Sequence, residues 1–201
     1  DFLRTGVYDR QRDFFKTISP SMDILISSNL ERLLYHMAED KAKVASWMQQ
    51  LQQEGRYDIG SELLAKIQQT FWADWTADAD TEACIADVYE KDHYVADPHT
   101  AVAWSVAEKY QQATGDAHHM VVVSTASPYK FNGSVLDALG VKTAGVDEFT
   151  LLDELQAKNS DPIPEGLASL RRKEVRHDGV CAPASMEEAV MAFATADSLK
   201  K

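Results

Sequence analysis

Apolar residues recur at helical spacing along much of the chain. Between residues 19 and 37 they return every three or four positions. They are Met22, Ile26, Leu30, Leu33 and Met37. Ser19 stands at an N-cap position and Pro20 at the first helical position, where a missing N–H costs nothing. The pattern therefore predicts an amphipathic helix over 19–37.

The same reasoning predicts helices in the rest of the chain. The stretch 97–115 has Asp97 as cap, Pro98 in the first turn and Gly115 as stop signal. The other predicted helices cover 41–54, which stops at Gly55, 61–77, 133–139, 148–158, and a closing stretch that starts with a capping box from Ser185 to Glu188.

Strands are scarce by comparison. Only 119–124, with its apolar run Met120–Val123, is typical of a fully buried strand. Weaker candidates lie at 93–97, 141–146 and 175–182. A continuous apolar strand needs parallel neighbours and cover on both faces. We therefore expect its sheet to be incomplete within these residues and to continue upstream of Asp1.

Composition excludes several classes of function. The formal charge of −12 argues against binding to nucleic acid or to an anionic membrane surface. The longest apolar run, Ala189–Ala194, is far shorter than a membrane span. Two isolated cysteines, Cys84 and Cys181, favour a reducing, cytoplasmic setting. The six histidines lack the spacing of a metal site, and the phosphate-binding and hydrolase motifs are also missing.

Several polar and aromatic groups have an ordinary structural interpretation beside a functional one. The acidic residues Asp74, Asp78, Asp80 and Glu82 are typical of a solvated helix end. The aromatic residues Phe71, Trp72 and Trp75 have a spacing that favours ordinary packing over a binding shelf.

Three polar stretches remain as candidates for a site. The helix starts at 19–23 and 97–100 have free N–H groups and a dipole that favour anions, although both are also plain caps. Ser124 and Thr125 end the predicted strand, where open α/β sheets bind ligands. Hydroxyls satisfied by a turn explain that pair equally well.

Taken in order, four blocks resemble the C-terminal part of threonine synthase, a pyridoxal-phosphate enzyme of fold type II, the tryptophan synthase β-like group. They are "RTGVYDR", "TISPSMDILISSNLERLL", "DPHTAVA" and "STASPYKF", and the tail "LASLRRKEVRHDG" also fits. The resemblance implies an α/β fold in which 1–201 forms a helix-rich, C-terminal portion of the large cofactor-binding domain.

The resemblance also implies roles for residues. Thr125 matches the hydroxyl that bonds the pyridine nitrogen of the cofactor, and Ser124 lies beside it. A neutral hydroxyl leaves that nitrogen less charged than a carboxylate would. The residues expected to line the substrate pocket are Arg4, Ser19, Met22, Asp23, Asp97 and His99.

The chain departs from the family pattern in one block and lacks another part of it. Ser127 stands where the more familiar version has His, and Tyr129 where it has Ala. Any role for an imidazole beside Thr125 is therefore in doubt. No lysine in 1–201 matches the family's Schiff-base lysine, so we expect no catalytic residue in this chain. The lysine and the glycine-rich phosphate loop are expected N-terminal to Asp1.

The resemblance implies that the parent protein converts O-phospho-L-homoserine and water to L-threonine and phosphate. We expect this C-terminal portion to be inactive alone. Two alternatives stay open: a threonine-synthase-like phospholyase, which eliminates phosphate without completing the hydration, and a non-catalytic module that retains half of the fold. The expected partner is a small molecule, and the sequence does not predict an oligomeric state.

Overall fold

The chain is built mainly from helices, and a computed structural model describes residues 1–198, with side chains to residue 195. The first helices are α1 (Phe2–Thr5), α2 (Leu30–Ala38), α3 (Lys41–Glu54), α4 (Ser61–Gln68) and α5 (Asp78–Asp92). The others are α6 (Pro98–Thr114), α7 (Asn132–Ala138), α8 (Glu148–Gln156), α9 (Glu165–Ala168) and α10 (Met186–Ser198). Within the described part, the strands are β1 (Val7–Asp9) and β2 (Arg56–Asp58).

Caps explain why α3 and α6 begin and end where the sequence predicts. The Asp40 carboxylate accepts hydrogen bonds from the N–H groups of Ala42 and Lys43 and so fixes the start of α3. Asp97 does the same for α6. Both helices end at a glycine in the left-handed region, Gly55 and Gly115. These two helices are confirmed, as are α7, α8 and the closing helix α10.

The N-terminal core forms where α2, α3 and α4 meet the two short strands. Strand β1 pairs with β2 in antiparallel register, with Tyr8 opposite Tyr57. The rings of these two tyrosines stack at 5.4 Å between centroids. The buried cluster consists of Leu34, Val44, Trp47, Leu51, Tyr57, Ile59 and Ile67. The sequence analysis predicted neither strand.

The helices that carry the candidate site pack farther along the chain. Helix α5 lies against α6 and α7, and α7 lies against α8. Their fully buried side chains are Ile85, Val88, Val135, Leu136 and Leu155. Helix α5 was not predicted as a helix, although its acidic first turn, with Asp78 and Asp80, was recognised as a helix end.

The buried strand predicted over 119–124 is wrong for this chain. The segment belongs to no sheet among residues 1–198, and Val121 and Val123 are 87% and 68% exposed. An apolar strand pairs only when neighbours are present, and the described residues supply none here. The weaker strand candidates at 93–97, 141–146 and 175–182 are wrong as well.

The helix predicted over 19–37 is interrupted. Residues Pro20–Met22 form one 3₁₀ turn, and regular helix begins only at Leu30. The Asp23 carboxylate instead accepts hydrogen bonds from the N–H and hydroxyl of Thr17, at 2.8 and 2.7 Å. Such local side-chain bonds compete with helix formation. The helix predicted over 61–77 likewise ends early, at Gln68.

The chain divides into two compact units. Residues 1–163 form the first unit, which includes the core and the candidate site, and the second begins at Pro164. The second contains α9, 3₁₀ turns at Ser169–Arg172 and Pro183–Ser185, and α10. Among the described residues, none of the helices is both long and apolar enough to span a membrane.

Candidate functional site

The candidate site surrounds the N-terminus of α6. The Asp97 carboxylate is fully buried and accepts hydrogen bonds from the N–H groups of His99, at 2.9 Å, and Thr100, at 3.3 Å. The Thr100 hydroxyl donates to the other oxygen of the same carboxylate. A carboxylate at this position also complements the helix dipole. The expected anion position at this helix start is therefore filled by the protein's own side chain.

A row of hydroxyls connects this cap to the segment 120–127. The hydroxyls of Thr100 and Ser124 are hydrogen-bonded at 3.1 Å. The Tyr94 hydroxyl donates to Ser124 Oγ at 3.2 Å. Ser124 is exposed, whereas Thr100 is buried, so the row runs from the surface to the buried carboxylate of Asp97.

A second contact joins the block around Ser19 to the same helix start. Ser19 is buried, and its hydroxyl is hydrogen-bonded to His99 Nδ1. The other ring nitrogen of His99, Nε2, is buried and has no hydrogen-bond partner among the described residues. The ring of Phe131 meets the His99 ring edge to face, at 4.8 Å between centroids. A buried, unpaired ring nitrogen is costly, which makes it a candidate contact for a polar ligand atom.

Together these contacts form what we call the α6 cluster: Ser19, Asp97, His99, Thr100 and Ser124. It unites three of the four sequence blocks, from positions about a hundred residues apart along the chain. Of the residues expected to bind cofactor or substrate, the structure brings Ser19, Asp97, His99 and Ser124 together.

Thr125 directly follows the α6 cluster. It is exposed, and its hydroxyl has no hydrogen-bond partner within the described part of the chain. The next hydroxyl, that of Ser127, accepts a hydrogen bond from the Tyr129 N–H at 3.4 Å and caps a 3₁₀ turn. Ser127, the departure from the family pattern, therefore stabilises the turn that follows Thr125.

Tyr129, the second departure, anchors that turn. It is 3% exposed, and its hydroxyl donates to the Asp161 carbonyl at 2.6 Å. Burial, the largest influence, raises the pKa of Tyr129 above its ordinary value. The side chain therefore remains a neutral donor at physiological pH and acts in packing.

Three residues expected in the substrate pocket make their contacts away from the α6 cluster. Arg4 forms an ion pair with Asp74 at 2.7 Å. Asp23 holds the backbone and hydroxyl of Thr17, and Met22 is 64% exposed. Within residues 1–195, none of the three side chains hydrogen-bonds with the α6 cluster. Their roles in a substrate pocket stay predictions.

Two members of the acidic cluster act as structural partners. Besides the ion pair of Asp74, the Asp78 carboxylate accepts a hydrogen bond from the Ile18 N–H at 3.2 Å. This contact fixes the backbone next to Ser19 and so supports its approach to His99. Within the described residues there is no group of acidic, histidine or cysteine side chains that could hold a metal ion.

The sequence analysis gave no role of their own to three residues at the site, Thr100, Tyr94 and Phe131, although Thr100 lies in the candidate helix start at 97–100. Thr100 follows the Asp-Pro-His block directly, and its place in the first turn of α6 was the available signal, since a threonine there can bond the capping carboxylate. Tyr94 and Phe131 reach the cluster through tertiary packing, which no local pattern announces.

The residues present fit part of a pyridoxal phosphate site. Thr125 has a free neutral hydroxyl, the group suited to a neutral pyridine nitrogen. The N–H groups at the start of α6 that would suit a phosphate are already bound by Asp97. Thr125 therefore suits the ring nitrogen of such a cofactor, whereas the start of α6 offers no backbone cradle for its phosphate.

Comparison with known proteins gives matches along most of the chain. The family model "Threonine synthase, C-terminal" matches residues 100–193. Threonine synthase-like 1 of Mus musculus is 39% identical over 185 residues, which are 90% of this chain and 24% of that protein. Threonine synthase of Saccharomyces cerevisiae is 32% identical over 190 residues, 87% of this chain and 37% of that protein.

Solved structures agree with the sequence matches. The crystal structure of yeast threonine synthase superposes with a TM-score of 0.76 at 28% identity, over 98% of this chain and 40% of that one. PLP-bound threonine synthase from Brucella melitensis gives 0.63 at 38% identity, over 76% of this chain and 32% of that one.

The chain thus spans about a quarter to two fifths of the length of these relatives. The structural matches confirm the expected fold, the helix-rich C-terminal portion of a PLP-dependent threonine synthase. The ordered sequence blocks, the family model and the superposition all lead to one conclusion: this chain matches the C-terminal region of the threonine synthase family.

Proposed function

We propose that this chain forms the part of a threonine synthase that holds the ring end of pyridoxal phosphate and one wall of the substrate pocket. The parent protein would convert O-phospho-L-homoserine and water to L-threonine and phosphate. The observation that supports this most is the α6 cluster. In it, three of the four sequence blocks that resemble threonine synthase meet at the start of one helix.

In this proposal Thr125 donates a hydrogen bond to the pyridine nitrogen. When bound, the cofactor supplies an electron sink for negative charge that develops on substrate carbon. A hydroxyl donates without a negative charge of its own, so it orients the ring and leaves the nitrogen unprotonated. Thr125 would thereby moderate the strength of the electron sink.

His99 is the proposed polar contact for the substrate side. Its Nδ1 is bonded to the Ser19 hydroxyl, which fixes the ring, and its buried Nε2 is left for a ligand atom. The edge-to-face contact with the Phe131 ring further fixes the orientation of the imidazole. Since Asp97 binds N–H groups at the start of α6, we assign the substrate phosphate to side chains. The cofactor phosphate is assigned to the phosphate loop that the family resemblance implies.

The remaining assignments follow the same proposal. Residues 1–201 would belong to the large cofactor-binding domain of fold type II, with Arg4, Met22 and Asp23 near the pocket edge. The net charge of −12 supports a small-molecule partner over nucleic acid or a membrane surface. The free cysteines Cys84 and Cys181 support a cytoplasmic location.

The test uses the complete reading frame that encodes this chain, purified with pyridoxal phosphate and given O-phospho-L-homoserine. We expect phosphate and threonine in equal amounts. In Thr125→Val, the lost hydrogen bond is expected to lower kcat/KM about threefold to tenfold. Thr125→Ser keeps the hydroxyl and is the matched control, which we expect to stay close to the wild type.

The product distinguishes the alternatives. The chain is 36–39% identical to proteins named Threonine synthase-like 1. A threonine-synthase-like phospholyase is therefore retained as the second candidate function. Phosphate with a 2-oxo acid and ammonia would establish that reaction in place of threonine synthesis. No phosphate release, in a protein that also fails to bind pyridoxal phosphate, would support the non-catalytic module.

A further inference from the structure

We infer that Asp97 and Thr100 are positioning residues: they fix the direction of the Ser124 hydroxyl, and they leave Thr125 as the hydroxyl of the pair that donates to a ligand. The inference deepens the proposed function and rests on it for the identity of that ligand, a neutral nitrogen heteroaromatic ring. It stands on the hydrogen-bond row between Tyr94 and Asp97.

The direction of the row follows from counting protons. The buried Asp97 carboxylate accepts two backbone N–H groups and the Thr100 hydroxyl. The single hydroxyl proton of Thr100 is thereby used, and its oxygen remains an acceptor. In the 3.1 Å contact between the two hydroxyls, Ser124 is then the donor. Tyr94 in turn donates to Ser124 at 3.2 Å.

This direction divides the work between two adjacent hydroxyls. The Ser124 proton points inward to Thr100, so on its exposed side Ser124 presents only lone pairs. A neutral pyridine nitrogen is an acceptor and gains nothing from such a group. The Thr125 proton has no partner within the described residues and is available to that nitrogen. Ser124 therefore anchors the segment, and Thr125 contacts the ring.

The anchoring also explains how an exposed segment can hold a residue in place. No backbone hydrogen bond within residues 1–198 holds 120–126. The side-chain bonds of Ser124 are thus the nearest ties between Thr125 and the rigid start of α6. Loss of the Thr100 hydroxyl would therefore have two effects: it would free the Ser124 proton, and it would loosen the segment 120–126.

The test compares three variants in the complete protein. Thr100→Val keeps the shape and removes the hydroxyl, whereas Thr100→Ser restores it. Thr114→Val is the matched control at the other end of α6, where a threonine hydroxyl donates to the Tyr110 carbonyl at 2.8 Å. The 15N backbone order parameters of 120–126 are measured by NMR without cofactor, and the Kd for pyridoxal phosphate is measured by fluorescence titration.

We expect Thr100→Val to lower the order parameters over 120–126 and to raise the Kd about threefold to tenfold. Thr100→Ser and Thr114→Val are expected to match the wild type in both measurements. Equal behaviour of Thr100→Val and Thr100→Ser would overturn the inference, as would an equal effect of Thr114→Val. If the wild type does not bind pyridoxal phosphate, the proposed function fails, while the order parameters of 120–126 still decide whether Thr100 positions the segment.

Discussion

At the scale of single residues, Tyr57 is the side chain whose ionisation is most strongly linked to folding. It is 3% exposed and lies between the rings of Tyr8 and Trp47. Burial, followed by the nearby Tyr8 and Glu31, raises the pKa of Tyr57 far above its ordinary value of 10.0. A raised pKa means that the folded state resists forming the phenolate. Its contribution to stability is therefore complete below about pH 10 and is lost as the pH rises further.

Tyr57→Phe is expected to reduce this alkaline loss of stability. At pH 7 the free energy of unfolding should change by less than about 1 kcal/mol, because the ring and its packing remain. Between pH 9 and pH 11 the variant should lose less stability than the wild type, as measured by urea unfolding. Tyr35→Phe, at a tyrosine that is 53% exposed, is the control. If the free energy of unfolding falls as steeply with pH in Tyr57→Phe as in Tyr35→Phe, Tyr57 is not the group whose ionisation is linked to folding.

At the scale of elements, the end of α3 depends on a glycine in two ways. Gly55 has a φ of 79°, a conformation that L side chains rarely adopt. A Cβ there would lie 2.6 Å from Gln11 Nε2. That nitrogen donates to the Glu54 carbonyl at 3.0 Å, so Gln11 can move aside only by giving up a hydrogen bond.

Gly55→Ala is therefore expected to lower the free energy of unfolding more than Gly115→Ala does. Gly115 ends α6 with a similar φ of 72° but has open space where a Cβ would stand, so its substitution measures backbone strain alone, about 1–2 kcal/mol. Gly55→Ala should add roughly 1 kcal/mol for the displaced hydrogen bond. Urea unfolding of both variants gives the difference, and equal values would mean that Gln11 yields without cost.

Elements with local start and stop signals were the ones that the sequence predicted well. Helices α3 and α6 each combine an aspartate cap with a terminal glycine, and both signals act within a few residues. The segment 119–124 could not be predicted in this way, since strand pairing depends on residues distant in sequence. The helix predicted to begin at Ser19 was also wrong in its first turns. There Thr17 is hydrogen-bonded to Asp23 and Ser19 to the distant His99, and these side-chain contacts replace a regular helix.

At the scale of the whole chain, the ordered blocks carried more information than any single motif. The resemblance of the ordered blocks implied roles for Ser19, Asp97, His99 and Ser124, and the structure brings these residues together at α6. The sequence did not predict the hydrogen-bond row through Thr100 and Tyr94, because the row depends on the packing of Ser124 against the distant segment 94–100.

The isolated chain of residues 1–201 is expected to form no stable covalent link with pyridoxal phosphate at one defined lysine. The physical reason is that no lysine in the chain matches the family's cofactor lysine. Incubation with the cofactor, borohydride reduction and mass spectrometry of peptides provide the measurement. The complete protein, treated in parallel, is the control. A stoichiometric adduct at a single lysine of 1–201 would contradict this expectation.

The extended segment 120–123 also affects how this chain behaves in concentrated solution. Val121 and Val123 are largely exposed, and the backbone beside them has no hydrogen-bond partner within the described residues. An apolar, uncharged, unpaired stretch of this kind is a template on which another copy can add a strand. Self-association should therefore begin at 120–123 while the helices remain folded. Val121→Lys would place a charge on this segment and is expected to raise the solubility limit of the chain.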